Sequence, residues 1–406
     1  MQENDYFCNQ NSVKLMRNSI YIHFFLLLML LVSCGQKKQE TVVAPWGEIH
    51  PDGEDVTSMS DSISTDDDFD LDEIQYSGEL IALTLTGPQT YYEYRGRHLG
   101  TQYLLALRFT NKLGVSLRME VCRDTTEMLA RLKNGEADLI CYPLSKDGPG
   151  WIVGPDKADL KQELKAWYKP QMLAEVQKQE NYFLSNRAVR RKVYAPMLNQ
   201  QGGIISHYDA QFRRHAPRIR WDWRLLAAQC YQESCFDPQA RSWAGACGLM
   251  QIMPGTADHL GLPRSAIYDP EQNIAAAVRY IAELQQSFSD IADHSERTKF
   301  VLAAYNGGGF HIRDAMALAR KYGRNAHRWR DVEPFVLGLQ QPQYYNDPVV
   351  RNGYMRGSET VDYVRRIHDR WNSYRGIKVS HSVSASGPTG IPQKARRERK
   401  KKYQLE

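Results

Sequence analysis

Between Gly78 and Leu144 the sequence alternates between segments typical of strands and segments typical of helices. The segments GELIALTLTG, SLRMEVC and DLICYPL are rich in β-branched and apolar residues, as strands are. The intervening segments, GTQYLLALRFTNKLG and TTEMLARLKNGEA, have helical patterns, and Gly114 marks the end of the first. The order strand–helix–strand–helix–strand predicts a small parallel sheet with helices packed on it.

A second pattern begins at Ser206 and runs to about Tyr374, where the segments are mostly helical. The fold class predicted is therefore α+β and multidomain, with a small α/β lobe followed by a mostly α-helical domain. The predicted division is a signal peptide at 1–34, an acidic disordered tether at 35–76, the α/β lobe at 77–170, a helical connector at 171–205, the helical domain at 206–375 and a basic disordered tail at 376–406.

The N-terminus has the pattern of a secretory signal. Residues 20–33 read IYIHFFLLLMLLVS, which is short for a membrane span, and basic residues precede them. The run ends in LVSC, which resembles a bacterial lipobox and implies lipidation of Cys34; an uncleaved anchor helix is the alternative. Because the following GQKKQ has no acidic cluster, we expect an outer-membrane anchor facing the oxidising periplasm. Met1 or Met16 could be the start.

Charge is unevenly spread along the chain. Acidic residues crowd positions 48–73 and basic residues crowd the last dozen, while the formal net charge is only +5. No concentrated basic face is indicated, which argues against nucleic-acid binding. The seven cysteines form no CxxC pair and no Cys/His metal spacing, so neither a zinc site nor a cofactor is predicted.

One carboxylate stands at the end of an apolar helical stripe. The segment DWRLLAAQCYQE predicts a helix capped by Asp222, with Leu226, Cys230 and Glu233 on one face. Burial raises the pKa of a carboxyl group, which suits a general acid. The alternative is an ordinary buried glutamate paired with Arg224 or Arg241, and periodicity alone does not separate the two.

Other motifs follow this glutamate in a fixed order. They are the turn-rich loop SCFDPQARSWAGACG, the segment GLMQIMPGTADHL and the segment FVLAAYNGGGFHIRDA, in which three glycines follow a helix end. With ET..YV and YNDPVVRNGYMRG further on, they resemble the soluble-type lytic transglycosylase domain of lysozyme-like fold. The resemblance covers about residues 206–375 and points in particular to the membrane-bound type F enzymes.

This resemblance assigns roles residue by residue. Glu233 matches the catalytic acid/base, and Ser234 completes its Glu-Ser pair. Ser242 matches a serine near the catalytic carboxyl and the substrate's N-acetyl group. The remaining matches are to substrate-binding positions: Gly248, Leu249, Met250 and Gln251 lining the saccharide cleft, and Tyr305 and Asn306 of the Ala-Tyr-Asn motif, where the tyrosine assists the glutamate.

The α/β lobe resembles the first lobe of periplasmic solute-binding proteins of the amino-acid type. The matching pieces are GELIALTLTGPQTYYEY, the helix ending in Leu-Gly, and LKNGEADLICYPL. Such proteins normally cross into a second lobe after the third strand, but here LSKDGPG leads straight into WIVGPDKADLKQELKAWYK. Since ligand is clamped between two lobes, a single lobe argues against tight binding of a small solute.

The resemblance implies a specific reaction on peptidoglycan. Glu233 would protonate the β-1,4 bridge between N-acetylmuramic acid and N-acetylglucosamine and then take the proton of the muramyl C6 hydroxyl, leaving a 1,6-anhydro end. The implied partners are glycan strands, the membrane through Cys34, and cell-wall synthesis or remodelling proteins. The alternatives are a muramidase with a second acid, a non-catalytic peptidoglycan-binding lipoprotein, and a solute-binding protein.

Cysteines flank the turn after Glu233. Cys235 and Cys247 could form a disulfide in the periplasm, Cys230 is a competing partner, and free buried thiols are the third outcome. Nearby Asp237 lies in an Asp-Pro turn and is expected to be structural.

Overall fold

The structure, a computed structural model, describes residues 70–185 and 189–376. The predicted signal peptide, the lipidation site at Cys34, nearly all of the acidic tether and the basic tail lie outside these residues. Within the part of the chain that is described, no helix is both long and apolar enough to cross a membrane.

The N-terminal lobe is built on a four-stranded sheet with the strand order β4-β1-β5-β6. Strand β1 lies between β4 and β5 and is parallel to both. The last strand is antiparallel to β5, with Leu139 opposite Val153. The predicted parallel sheet thus holds for three strands, and the connection to the fourth reverses in a tight turn, where Leu144 N–H bonds to the carbonyl of Gly150. The strands are β1 Glu79–Thr84, β2 Tyr92–Tyr94, β3 Arg97–Leu99, β4 Ser116–Val121, β5 Leu139–Ile140 and β6 Ile152–Val153.

Local capping explains where the helices of the lobe begin and end. Asp124 caps α3 by accepting from Glu127 N–H, and Gly114 ends α2 with a left-handed φ of 77°. Phe109 of α2 and Leu139 of the sheet are fully buried in the core between these layers. The helices of the lobe are α1 Leu71–Ser77, α2 Thr101–Leu113, α3 Thr125–Lys133 and α4 Ala158–Trp167.

Helix α1 lies in the last part of the predicted disordered tether. Asp70 caps it at Leu71, and the same carboxylate accepts from the backbone N–H groups of Asp159 and Leu160 at the start of α4. This acid therefore joins two helix N-termini, which favour a negative charge. Ordered structure begins earlier than the predicted boundary at residue 77.

The connector is helical only in its first part. Helix α5 spans Gln171–Phe183. Strand β7, Val189–Arg190, then pairs antiparallel with β8, Arg241–Ser242, in the loop after Glu233. The predicted helical connector at 171–205 is thus wrong beyond Phe183. The described backbone after it first pairs with the loop after Glu233 and then turns back on itself, where Asn199 and Ile204 exchange backbone hydrogen bonds.

A short hairpin, β2–β3, leaves the sheet and contacts the helical region. Its two turn residues, Arg95 and Gly96, have φ values of 51° and 69°, as in a two-residue hairpin turn with left-handed residues. Tyr94 Oη donates to Glu359 Oε2 at 2.5 Å, and Arg97 Nε donates to the carbonyl of Ala244 at 3.1 Å. The sequence pattern did not predict β2 and β3 as strands distinct from β1.

The helical region packs around one large core. Helix α7 lies within it, with Leu226, Ala227 and Cys230 fully buried, and it packs against the last helix, α14. The helices of this region are α6 Asp209–His215, α7 Trp223–Ser234, α8 Pro254–His259, α9 Pro270–Ser287, α10 His294–Gly307, α11 Gly309–Lys321, α12 Trp329–Gly338, α13 Pro342–Tyr345 and α14 Gly357–Tyr374, with 3₁₀ turns at Ala216–Ile219 and Arg264–Ala266.

Candidate active site

Glu233 lies one residue before the end of α7. The helix is capped by Asp222, whose carboxylate accepts from Arg224 N–H, and it ends where Cys235 and Phe236 adopt left-handed φ values of 54° and 64°. The carboxylate of Glu233 is half-buried, and Tyr363 Oη donates to its Oε1 at 2.5 Å. The acid thus lies at the edge of the core, at the end of the apolar face of the helix.

Burial raises the pKa of Glu233 from its ordinary 4.5 to about 7, against the hydrogen bond from Tyr363 and the positive charges of Arg95 and Arg191, which lower it. The alternative partners predicted from the sequence do not pair with it. Arg224 forms an ion pair with Asp222, at 3.0 Å. The guanidinium of Arg191 instead donates to the backbone carbonyl of Glu233, at 2.9 Å.

Glu233 faces a groove between the hairpin and the helical region. A cavity of about 430 Å³ contains this carboxylate together with Gln251, Tyr305 and Asn306. An adjoining cavity of about 220 Å³ lies beside Tyr363 and Trp243, and Asn306 lines both. Arg95, at the tip of the hairpin, is the second residue common to the two cavities.

The Gly-Leu-Met-Gln turn is held in place by one buried amide, that of Asn273. Its Oδ1 accepts from Met250 N–H at 2.8 Å, and its Nδ2 donates to the carbonyls of Cys247 and Ile267. Gly248 has a φ of 77°, and a Cβ there would lie 2.5 Å from Asn273 Nδ2, so the turn requires glycine.

Of the four turn residues predicted to line the cleft, Gln251 does so. Leu249 and Met250 are fully buried in the core, and Gly248 packs on Asn273. Gln251 has a φ of 50°, and its Nε2 donates to the carbonyls of Ala240 and Gly248. The first three residues of the turn therefore position the fourth.

Tyr305 and Asn306 line the groove but do not bond to Glu233. Tyr305 Oη donates to the carbonyl of Met250 at 2.8 Å, and Asn306 Oδ1 accepts from Thr360 Oγ1 at 2.9 Å. A Cβ at Gly307 would lie 2.5 Å from Thr360 Oγ1, so this glycine allows α10 to end against α14. The tyrosine that bonds to the acid is Tyr363, which the sequence had placed in the YV motif without a role.

The two serines predicted near the substrate are buried beside the groove. Ser234 Oγ donates to the carbonyl of Cys230 at 3.2 Å, within α7. Ser242 Oγ accepts from Ala246 N–H at 3.0 Å and closes the loop in front of the Gly-Leu-Met-Gln turn. Both serine hydroxyls hydrogen-bond to backbone groups in this structure. Neither serine is among the residues that line the two cavities.

The loop after Glu233 is stabilised by Asp237 and not by a disulfide. Asp237 accepts from the backbone N–H groups of Lys192 and Gln239, at 2.6 and 3.0 Å, which agrees with the structural role expected for it. Cys230, Cys235 and Cys247 are free buried thiols here, which is the third of the outcomes that the sequence left open. Cys247 Sγ lies 3.2 Å from both Tyr268 Oη and the carbonyl of Gly245, contacts that hold it in the loop.

Residues of the α/β lobe complete the groove, and sequence reasoning missed them. Glu93 and Arg95 of the hairpin line the larger cavity, and Tyr94 stacks on Trp243 with ring centroids 6.4 Å apart. The alternation of aromatic and charged residues in YYEYRGRHL was the available signal for the hairpin. Within residues 70–185 and 189–376, no group of three or more His, Cys, Asp or Glu side chains could hold a metal ion.

Comparison with family models identifies the segment that contains Glu233. Residues 211–327 match the family described as "Transglycosylase SLT domain". The matched segment includes Glu233, the Gly-Leu-Met-Gln turn, Tyr305 and Asn306. It ends before α14, so Tyr363 lies outside it.

The curated relatives named membrane-bound lytic murein transglycosylase F include the following two bacterial proteins. The protein from Desulfosudis oleivorans is 34% identical over 236 residues, which are 56% of this chain and 50% of that relative. The chain thus spans about half the length of that relative. A protein from Alkalilimnicola ehrlichii, "F 1", is 28% identical over 415 residues, covering 73% of this chain and 83% of its own.

Solved structures are similar to each part of the chain. The 70 kDa soluble lytic transglycosylase of Escherichia coli is 24% identical, with a TM-score of 0.29, over 42% of this chain and 25% of that one. The arginine-bound domain 1 of TmArgBP is 19% identical, with a TM-score of 0.22, over 27% of this chain and 98% of its own.

Proposed function

We propose that this chain is a lytic transglycosylase that cleaves peptidoglycan, since residues 211–327 match the transglycosylase SLT domain family. The observation that supports this most strongly is the raised pKa of Glu233. Its half-buried carboxyl group lies in the groove, and burial raises its pKa to about 7. A carboxyl group with that pKa still holds its proton near neutral pH.

In the proposed reaction Glu233 acts first as an acid and then as a base. Its proton passes to the bridging oxygen between N-acetylmuramic acid and N-acetylglucosamine. The bond from that oxygen to the muramyl C1 breaks, N-acetylglucosamine leaves with a hydroxyl group, and the muramyl N-acetyl group stabilises the anomeric carbon. The carboxylate then removes the proton of the muramyl C6 hydroxyl as that oxygen bonds to C1, leaving a 1,6-anhydro end. Tyr363 holds Oε1, which leaves Oε2 to carry the proton.

The remaining groove residues have positioning roles in this proposal. Gln251, Tyr305 and Asn306 present polar groups along the cavity that holds Glu233, as expected for a saccharide subsite. Ser242 keeps the loop in front of them closed through Ala246. No cofactor is required, since a sugar hydroxyl is the nucleophile.

The test is digestion of isolated sacculi by the purified protein, with the products identified by mass. Wild type is expected to release muropeptides that are lighter by one water than hydrolytic products. Glu233→Gln is expected to lower the rate by about 10²–10⁴-fold or more, because it removes the acid and the base together. A Glu233→Gln protein that still releases anhydro products at the wild-type rate would refute the role.

A muramidase is the second candidate, and one observation favours it. A hydrolase needs a second carboxylate to activate water, and Glu93 of the hairpin lines the same cavity as Glu233. Hydrolysis would give products with a free reducing end, and Glu93→Gln would then abolish activity. A transglycosylase would give anhydro ends with either residue at position 93.

The N-terminal pattern and the relatives' names support a location in the cell envelope. We propose that a lipid on Cys34 tethers the protein to the outer membrane, facing the periplasm. Labelling of cells with a fatty-acid analogue, followed by membrane fractionation, tests this. A Cys34→Ser protein should lose the label and leave the membrane fraction.

A further inference from the structure

We propose that Arg95 binds a carboxylate carried by the muramyl residue of the murein strand; this inference rests on the proposed function. Arg95 is the first turn residue of the β2–β3 hairpin, and it lines both cavities of the groove. Its positive charge acts on Glu233, so it lies near the bond to be cleaved. The lobe thereby contributes a charged residue to the active site.

Its guanidinium has no carboxylate partner among residues 70–185 and 189–376 within salt-bridge distance. Glu359 lines the smaller cavity and its charge acts on Arg95, but both of its oxygens are already used: Oε1 accepts from Arg356 and Oε2 from Tyr94. The guanidinium lies over the ring of Tyr94, 5.4 Å from its centroid. With no carboxylate of the described residues at salt-bridge distance, its forked donors are free for a ligand carboxylate in the groove.

The turn itself does not call for an arginine. Both turn residues have positive φ, which favours Asn, Asp or Gly at the first position and makes a long side chain there uncommon. The hairpin is fixed on either side of its tip by the bonds of Tyr94 to Glu359 and of Arg97 to Ala244. The backbone from which the guanidinium extends into the groove is therefore fixed on both sides.

The chemistry of the strand indicates what Arg95 would contact. Hydroxyl and acetamide groups on both sugars are neutral, and the muramyl lactyl arm carries the negative charge. That charge is the lactyl carboxylate where the arm is free, or a stem-peptide carboxylate where the arm is amide-linked. Glu93 would repel that carboxylate. Its negative charge acts to raise the pKa values of Tyr280 and His311, so its side chain lies towards their part of the larger cavity.

The experiment measures binding without turnover, using the full chain with Glu233→Gln. Three ligands are compared: peptide-bearing glycan strands, peptide-free strands with free lactyl carboxylates, and peptide-free strands whose carboxylates have been converted to amides. We expect about tenfold tighter binding of a carboxylate-bearing strand than of the amidated strand, weakening as salt is added.

In the Glu233→Gln chain, the further substitution Arg95→Asn should remove this preference. Asn is compatible with the left-handed backbone, so the hairpin is retained. Adding Arg95→Lys should keep part of the preference. Arg123→Gln, at an exposed side chain far along the lobe, is the matched control and should keep all of it. Circular dichroism of each variant checks the fold.

Preference for peptide-bearing strands alone identifies a stem-peptide carboxylate, and preference for the peptide-free unamidated strands alone identifies the lactyl carboxylate. Preference for both over the amidated strand shows that Arg95 accepts either carboxylate. Equal binding of all three ligands, or an unchanged preference in the Arg95→Asn protein, overturns the inference. The proposed function is judged separately, by the anhydro products of the wild-type enzyme. A protein that prefers carboxylate-bearing strands but makes no anhydro product would refute the proposed reaction and still support the role of Arg95.

Discussion

At the scale of single residues, the raised pKa of Glu233 affects stability as well as the proposed catalysis. The folded protein holds this proton up to about pH 7, whereas an ordinary glutamate releases it near 4.5. Folding therefore binds a proton between these two values, and wild type loses stability as the pH rises through that window. A charged carboxylate in a half-buried site is the cause, and active sites commonly carry such a cost.

Glu233→Gln should therefore stabilise the protein at pH 8 and have little effect at pH 4.5. We expect a gain of roughly 1–3 kcal/mol in the free energy of unfolding above pH 7. Urea unfolding at several pH values measures it. A gain that is the same at every pH would show that the carboxyl has an ordinary pKa.

Tyr363 and Tyr305 are expected to behave differently when each is changed to phenylalanine. The hydrogen bond from Tyr363 lowers the pKa of Glu233, so Tyr363→Phe should move the basic limb of the kcat/KM–pH profile to higher pH. Loss of a bond to a charged group should also reduce the rate about tenfold.

Tyr305→Phe is the matched control, because its hydroxyl bonds to the carbonyl of Met250 and not to the acid. We expect it to lower activity without moving the basic limb. A shift with Tyr305→Phe but not with Tyr363→Phe would favour the assignment made from the motif over the one made from the contacts.

At the scale of elements, the sequence predicts best what depends on neighbouring residues. Asp222 and Gly114 set helix ends through bonds within a few positions, and both ends agree with the structure. Tyr363 reaches Glu233 across 130 positions, and Arg95 reaches the groove only because the hairpin contacts another domain. Such pairings depend on tertiary packing, which periodicity does not contain.

The Gly-Leu-Met-Gln turn allows a direct test of local geometry. Gly248→Ala forces a Cβ against Asn273 at a left-handed φ, and we expect a loss of roughly 1–3 kcal/mol in stability together with reduced activity. Thermal unfolding and the sacculus assay measure the two effects.

Gly309→Ala is its control, since no atom lies within 4 Å of the added Cβ and the residue begins a helix. Its stability should be unchanged or slightly higher. Equal losses in the two variants would mean that the turn is not held as the structure shows.

At the scale of the whole molecule, the lobe and the helical region are joined through aromatic stacking. Trp243, in the loop after Glu233, stacks on Phe183 of α5 at 4.4 Å and on Tyr94 of the hairpin at 6.4 Å. Residues 70–376 lie in one compact unit. Since the groove has walls from both parts, anything that separates them should also disturb the site.

We therefore expect wild type to unfold in a single transition in a calorimeter and Trp243→Ala to show two. Aromatic truncation of this kind costs about 3–5 kcal/mol in a core and less at this half-buried position. The Tyr322→Ala variant, which loses a stack on Phe335 within the helical region, should lower the melting temperature without splitting the transition. Two transitions already present in wild type would show that the lobe and the helical region fold independently, and that the hairpin reaches the groove without being held there.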